Sequence, residues 1–194
     1  MFGIKRKVKA KTWNDITLEK FYKLSKLGKN PNVFDVVDIV YDVNSRDSKL
    51  SDFQQYNIDF LNTDCPKRPI KKQYVLNGKK YNASFDITRI NTAQFVDFRN
   101  YSSNGCKLED ILSVCLIPEG RKYNDGYDVQ QLKADILQLP ITDVQTISFF
   151  FINQLYVLLE STRYYLTAQM KTTDPKEAKE LKKLLTNLEL PFLM

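Results

Sequence analysis

The stretch TDVQTISFFFINQLYVLLESTRYYLTAQM, residues 142–170, contains neither proline nor glycine and predicts the dominant element of the fold. Thr142 with Gln145 three positions later fits a helix-capping box, and apolar residues then recur at helical spacing. The pattern predicts one helix of about 42 Å, from a Thr142 cap to about Met170, with one face in the core. Its surplus of apolar side chains fits either a subunit interface or a central position among other helices.

Shorter helices are predicted on both sides of this element by capping residues and apolar spacing. The capping candidates are Thr17, Asn32, Asn91, Asp128 and Asp174. The predicted helices cover residues 18–27, 33–40, 50–61, 92–101, 107–115, 129–139 and 175–188. Together with the long helix in the C-terminal half, they predict a mainly α protein of the α+β class, with about eight helices and one β-hairpin.

The hairpin is predicted by the segment QYVLNGKKY, residues 73–81. Asn77 and Gly78 both accept the positive φ angles that a type I′ turn needs at its two central positions. Beyond the turn, apolar and polar residues alternate as far as Phe85, so we expect the second strand to bury one face. A lone hairpin is marginally stable, so it must pack on the helices.

The sequence divides into three parts. Residues 1–16 are predicted to form a basic N-terminal arm, residues 17–170 a helical domain with the hairpin at 73–85, and residues 174–194 a helix with an apolar tail. The arm carries charges with no apolar segment behind them, so we expect no secretory signal. The most apolar run, residues 147–159, is shorter than the roughly 20 residues of a membrane-spanning helix, so we expect no membrane partner.

The side-chain inventory argues against catalysis. The chain has no histidine among its 194 residues, which removes the commonest general base and the commonest metal ligand. It also has no phosphate-binding loop, dinucleotide fingerprint or nucleophile elbow. Cys65, Cys106 and Cys115 are odd in number and lack metal-binding spacing, so we expect thiols in a reducing compartment. We therefore predict no enzyme activity, no catalytic residue, no metal and no cofactor.

The net charge is +6, and the basic residues form two groups. The first group lies in the N-terminal arm and consists of Lys5, Arg6, Lys7, Lys9 and Lys11. The second group surrounds the hairpin and consists of Lys67, Arg68, Lys71, Lys72, Lys79 and Lys80. Either group fits contact with phosphate backbones or an acidic partner, and each fits a merely solvated surface equally well.

Four surfaces are candidate contact sites. They are the basic arm (Lys5, Arg6, Lys7, Lys9, Lys11), the hairpin turn (Asn77, Gly78, Lys79, Lys80), a polar loop (Tyr123, Asp125, Tyr127) and the apolar tail (Phe192, Leu193, Met194). Loops with turn chemistry tend to carry contacts, and an apolar tail needs burial or a partner. The acidic residues of the loop lack the spacing of an EF-hand, and Asp128 serves more simply as a helix cap.

Several segments resemble a recurring layout in proteins encoded among the virion structural and tail-assembly genes of tailed bacteriophages of gut Bacteroidales, including the crAss-like phages. These segments are GKKY at 78–81, FDIT at 85–88, TAQFVDF at 92–98, ILSV at 111–114, IPEG at 117–120 and YNDGY at 123–127. The opening WNDITL at 13–18, followed by short helices and the hairpin, is similar to phage tail or baseplate assembly chaperones.

The resemblance implies a non-enzymatic phage structural protein. We expect a virion component, in the neck or tail ring or in the packaged interior, that contacts other phage structural proteins and copies of itself. Its implied location is the virion, after assembly in the host bacterial cytoplasm. One alternative is a tail assembly chaperone that is not retained in the virion. A second alternative, from the charge pattern, is a basic nucleic-acid-binding protein that contacts DNA non-specifically through the arm.

Overall fold

The computed structural model describes residues 8–47, 49–84, 90–103 and 107–187. These residues are mainly helical, with one three-stranded antiparallel sheet. The helices are α1 (Leu18–Ser25), α2 (Val33–Tyr41), α3 (Leu50–Phe53), α4 (Thr92–Ser103), α5 (Leu108–Cys115), α6 (Val129–Ile136), α7 (Ile141–Met170) and α8 (Pro175–Asn187). The strands are β1 (Gln73–Leu76), β2 (Lys79–Ala83) and β3 (Leu116–Pro118). The predicted mainly α, α+β class is confirmed, together with the hairpin and the long helix.

Contacts within the chain divide it into two compact units. The first unit combines residues 1–69 with residues 134–146, and the second combines residues 70–133 with residues 147–194. Each unit is therefore built from two segments that are distant in the sequence. The three-part division into an arm, a helical domain and a C-terminal helix with its tail stays a prediction.

The capping side chains anchor most helix starts as predicted. Thr17, Asn32, Asn91, Asp128 and Asp174 each accept a backbone N–H from the first turn of the helix that follows. The predicted Thr142 cap is wrong, because α7 already begins at Ile141. The Pro140 carbonyl accepts the N–H groups of Asp143 and Val144, so Pro140 lies at the position directly before the first residue of the helix. Thr142 is buried within the first turn.

The start of α1 is satisfied by carbonyls from the segment between α6 and α7. The Leu18 N–H donates to the Leu139 carbonyl at 2.9 Å, and the Glu19 N–H donates to the Leu137 carbonyl at 3.0 Å. The first N–H groups of a helix have no partner within the helix, so these two bonds remove the free-energy cost of burying unpaired N–H groups. Beyond Ile136 the backbone forms i→i−3 bonds, from the Gln138 N–H to the Asp135 carbonyl and from the Leu139 N–H to the Ile136 carbonyl, so α6 ends at Ile136 instead of the predicted Leu139.

Apolar side chains from both segments form the core of the first unit. The buried residues are Ile16, Leu18, Val36, Val37, Val40, Ile136, Leu139, Ile141 and Val144. Three of the four valines that the sequence placed on one stripe of α2 are among them. The fourth, Val33, is 44% exposed because it lies at the first position of the helix.

The predicted helix over residues 50–61 is wrong. The helix α3 stops at Phe53, and a separate 3-10 turn covers Asp59–Asn62. Asn57 explains the break, because its N–H donates to the Tyr41 hydroxyl and its carbonyl accepts from that same hydroxyl. The Asn57 side chain also accepts the Asp59 N–H at 2.8 Å, an Asx turn that competes with helix formation.

The sheet of the second unit has the order β1-β2-β3. Asn77 and Gly78 have φ angles of 48° and 76°, which confirms the predicted type I′ geometry of the turn. Tyr74, Leu76 and Tyr81 share the buried face of the hairpin. The third strand was not predicted, since the sequence pattern ends the preceding helix at residue 115 and assigns no strand to residues 116–118. Three residues are too few to display strand alternation, and only pairing with β2 reveals them.

The helical core of the second unit lies against the inner face of α7. The Phe98 and Phe151 rings meet edge to face, with centroids 4.9 Å apart. Further buried side chains are Ile111, Leu112, Val114, Cys115, Leu116, Leu132 and Ile147. At the start of α4, Asn91 and Gln94 exchange the two reciprocal bonds of a capping box, as the sequence predicts.

Gly78→Ala tests the turn. Open space surrounds the position where a Cβ would stand at Gly78, so the penalty comes from its φ angle of 76° alone. We expect the free energy of unfolding to fall by about 1–2 kcal/mol, measured by urea denaturation. Asn77→Gly is the matched control, because glycine adopts positive φ freely and should leave stability within about 1 kcal/mol of the parent. Equal stabilities of Gly78→Ala and the parent would contradict the type I′ turn.

Candidate functional site

The second unit contains a cleft of about 370 Å³ between the hairpin turn and the start of α6. Lys79 and Lys80 line it from β2, and Tyr127 and Asp128 line it from the loop before α6. The sequence suggested the turn lysines and the loop tyrosine as separate contact sites. The structure brings them to one place.

The cleft carries both signs of charge. Lys80 Nζ lies 3.9 Å from Glu119 Oε2, and Gln73 Nε2 donates to Glu119 Oε1 at 2.9 Å. Asp128 Oδ1 accepts the backbone N–H groups of Gln130 and Gln131, so its negative charge faces the start of α6. A cleft with such balanced charge favours neither an anionic nor a cationic ligand.

The loop tyrosines are held by the body of the second unit. Tyr123 Oη donates to Asp97 Oδ2 at 2.7 Å. Burial, together with this hydrogen bond to a carboxylate, raises the pKa of Tyr123 well above its usual range. Burial also raises the pKa of Tyr127. Asp125 remains exposed at the tip, 3.9 Å from Arg121. Tyr123 therefore anchors the loop through its hydrogen bond to Asp97, whereas the half-buried Tyr127 has no hydrogen-bond partner for its hydroxyl among the described residues.

Lys133 extends this network on α6. Its Nζ lies 2.8 Å from Asp110 Oδ1 and 4.5 Å from the centroid of the Tyr101 ring. Burial alone lowers the pKa of Lys133, but the hydrogen bonds to Asp110 and Tyr101 raise it overall. The ammonium stays charged and ties α4, α5 and α6 together beneath the loop.

The basic arm is described only in part. Lys5, Arg6 and Lys7 lie outside the described residues, as do Phe192, Leu193 and Met194 of the tail. Lys9 is exposed, and Lys11 Nζ lies 3.8 Å from Asp15 Oδ1. Burial alone raises the pKa of Asp15, but hydrogen bonds from Thr12 and the charges of Lys11 and Lys9 lower it overall. Part of the arm's positive charge is thus balanced within the chain.

The first unit has a cleft of about 480 Å³ beside α1 and α2. Its charges are paired: Lys20 Nζ lies 2.6 Å from Asp42 Oδ2, and Lys23 Nζ lies 2.7 Å from Glu19 Oε1. The described residues contain no group of three or more side chains placed to hold a metal ion. Burial raises the pKa of the Cys115 thiol, which opposes its use as a nucleophile.

Large apolar side chains are exposed on α7, and four of them share the side opposite Ile147 and Phe151, whereas Tyr165, 61% exposed, lies further along on the same side as Ile147. The exposed fractions are 62% for Phe149, 47% for Tyr156, 59% for Val157 and 81% for Tyr164. At 100° per residue these four side chains fall within one sector of the helix, which we call the outer face of α7. Asn153, Glu160, Arg163 and Thr167 complete this sector, and all four are exposed. The sequence analysis noted surplus apolar surface on this helix but did not separate its two faces.

In comparisons with known proteins, no family model, curated protein or solved structure matches the chain. Among the helices of the described ranges, none is both long enough and apolar enough to cross a membrane. The function of the chain is therefore inferred from its surfaces.

Tyr123→Phe tests the anchor of the loop. The pKa of Tyr123 is raised by folding, so the folded state retains this proton above pH ~10, where the unfolded state releases it. Stability should thus be constant below that pH and fall as the pH rises above it. In Tyr123→Phe, the free energy of unfolding should therefore fall less steeply with pH, by up to about 1.4 kcal/mol per pH unit. Urea denaturation from pH 8 to 11 measures this difference. At neutral pH the variant should lose about 1 kcal/mol.

Tyr164→Phe is the control for this experiment, because it removes a phenol from an exposed ring without touching the network. It should leave the pH dependence of stability like that of the parent. If both variants change that dependence equally, Tyr123 is not the group that the fold holds protonated.

Proposed function

We propose that this chain is a non-enzymatic structural protein of a tailed-phage virion, where it acts through protein contacts in a multi-copy assembly. The observation that supports the proposal is the outer face of α7, where three aromatic side chains and a valine are each 47–81% exposed along one helix. Exposed aromatic side chains grouped on one surface are typical of interaction sites, and aromatic residues are enriched at the centres of interfaces.

The phage assignment is supported by the resemblance of segments such as GKKY at 78–81 and YNDGY at 123–127. In the structure these two segments contribute to the same cleft, through Lys79, Lys80 and Tyr127. A second contact surface beside the hairpin turn fits a component that touches more than one neighbour. The two surfaces together favour a virion component over a protein with a single partner.

A tail assembly chaperone would use the same outer face while it holds another tail protein. We favour the virion component because the described part of the second unit presents the outer face on a long, regular helix, and a rigid contact loses little entropy on assembly. The alternative differs in one measurable respect, since a chaperone leaves before the particle is complete.

Nucleic-acid binding is the less favoured alternative. Carboxylates of the chain itself offset several of the basic charges. Lys11 lies 3.8 Å from Asp15, Arg68 lies 3.7 Å from Asp143, and Lys80 lies 3.9 Å from Glu119. Attraction to DNA through phosphate contacts falls steeply as salt rises. A tight complex with duplex DNA whose affinity falls steeply over a salt series would favour this alternative over ours.

Mass spectrometry of gradient-purified particles tests the proposal. We expect the protein to sediment with intact particles and to keep a fixed ratio to the other particle proteins across the gradient. Protein that is abundant in the lysate of the producing cells but missing from particles would point to the chaperone. Protein that associates with no particle component in either fraction would contradict the proposal.

A further inference from the structure

The outer face of α7 has a regular spacing. Phe149, Asn153, Tyr156, Glu160, Arg163 and Thr167 follow one another at alternating steps of four and three residues. This is the spacing of the contact seam in helices that pack side by side along their length. Val157 and Tyr164 flank the seam on one side. The outer face therefore matches a second helix of similar length.

The exposed area is large enough to form the centre of an interface. At about 200 Å² for each aromatic side chain, the exposed parts of Tyr156 and Tyr164 amount to on the order of 250 Å². That is about a third of the area that each partner contributes to a standard interface. The polar seam residues and the rim of α7 supply more, so a helix packed along this face completes an interface of ordinary size.

The seam carries one acid and one base, which determine how two copies can meet. Glu160 and Arg163 are the only charged residues between Val144 and Met170. Within one copy they face each other at 3.9 Å, and both side chains are more than half exposed. Parallel packing in register would set Glu160 against Glu160 and Arg163 against Arg163. Antiparallel packing about a two-fold axis between residues 161 and 162 sets Glu160 against Arg163 twice.

We propose that the outer face of α7 binds the same face of a second copy of this chain, antiparallel, with two Glu160–Arg163 pairs across the two-fold axis. The inference rests on the proposed function, since it names one neighbour in the multi-copy assembly. In this arrangement Tyr156 lies opposite Thr167, where a small side chain leaves room for the ring. Tyr164 lies one helical turn from Glu160 and covers the central pairs from solvent.

Charge reversal tests this arrangement on the purified full chain. Sedimentation equilibrium over a concentration series should show a dimer for the parent. Glu160→Arg sets like charges against each other twice, and so does Arg163→Glu, so each should weaken dimerisation by at least about tenfold. The double variant Glu160→Arg with Arg163→Glu restores opposite charges across the axis and should regain the affinity of the parent. Gln154→Arg adds a charge to an exposed position of α7 outside the outer face and should leave the dimer intact.

Mixing the two single variants separates the contact between copies from the pair within one helix. Each single variant loses its own Glu160–Arg163 pair, and only a mixed dimer places opposite charges across the axis. We expect mixed dimers to form where neither variant dimerises alone. Circular dichroism of each variant confirms that α7 remains helical, and Tyr164→Ala should weaken the dimer without changing any charge.

A parent protein that stays monomeric throughout the series would overturn the inference, and so would a dimer that tolerates both single reversals. A dimer that the double variant fails to restore would also overturn the antiparallel arrangement. The two proposals can fail independently of each other. A chain that is monomeric in isolation but present in purified particles refutes only the inference about the dimer. A dimer that never enters particles refutes only the proposed function.

Discussion

Burial of the inner face of α7 is the constraint on which the second unit depends. Ile147 and Phe151 are buried there, and Phe151 meets the Phe98 ring of α4. Once these residues face inward, the 100° step between successive residues determines which side chains lie on the opposite side of the helix. Turning α7 to hide Tyr156 and Tyr164 would bring Glu160 and Arg163 inward and expose Phe151. Since burying charge costs more than burying a ring gains, the aromatic outer face is a consequence of the core.

The loop before α6 is held to the body of its unit by a side-chain contact. Tyr123 donates its hydroxyl hydrogen to Asp97 on α4, whereas the Tyr127 hydroxyl is buried without a hydrogen-bond partner among the described residues. A partly buried hydrogen bond to a carboxylate is stronger than one between neutral groups, so the Tyr123 bond holds the loop more firmly than its turn chemistry alone would. The same anchoring places Tyr127 beside the hairpin lysines and thereby forms the cleft.

Local signals predicted most of the fold, and long-range contacts account for the failures. Caps such as Asn32 and Asp174, and the turn at Asn77 and Gly78, depend on neighbours within a few residues, so the sequence displays them directly. The break at Asn57 depends on the Tyr41 hydroxyl, and β3 depends on pairing with β2. No periodic pattern in the sequence predicts the break at Asn57 or the strand β3. For the site, the sequence named the turn lysines and Tyr127 but could not bring them together, and it missed Tyr156 and Tyr164 because one helix carried two apolar faces.

The charge distribution explains why copies would meet at α7 and not elsewhere. A chain with net charge +6 repels its own copies, and this repulsion acts over roughly 8 Å at physiological salt. The stretch from Val144 to Met170 is locally neutral, since its one acid balances its one base. In the proposed pairing, two copies would bury apolar area along a stretch that brings no net charge to the contact. The neutral, aromatic character of the outer face would thus oppose the repulsion that the net charge of the chain creates.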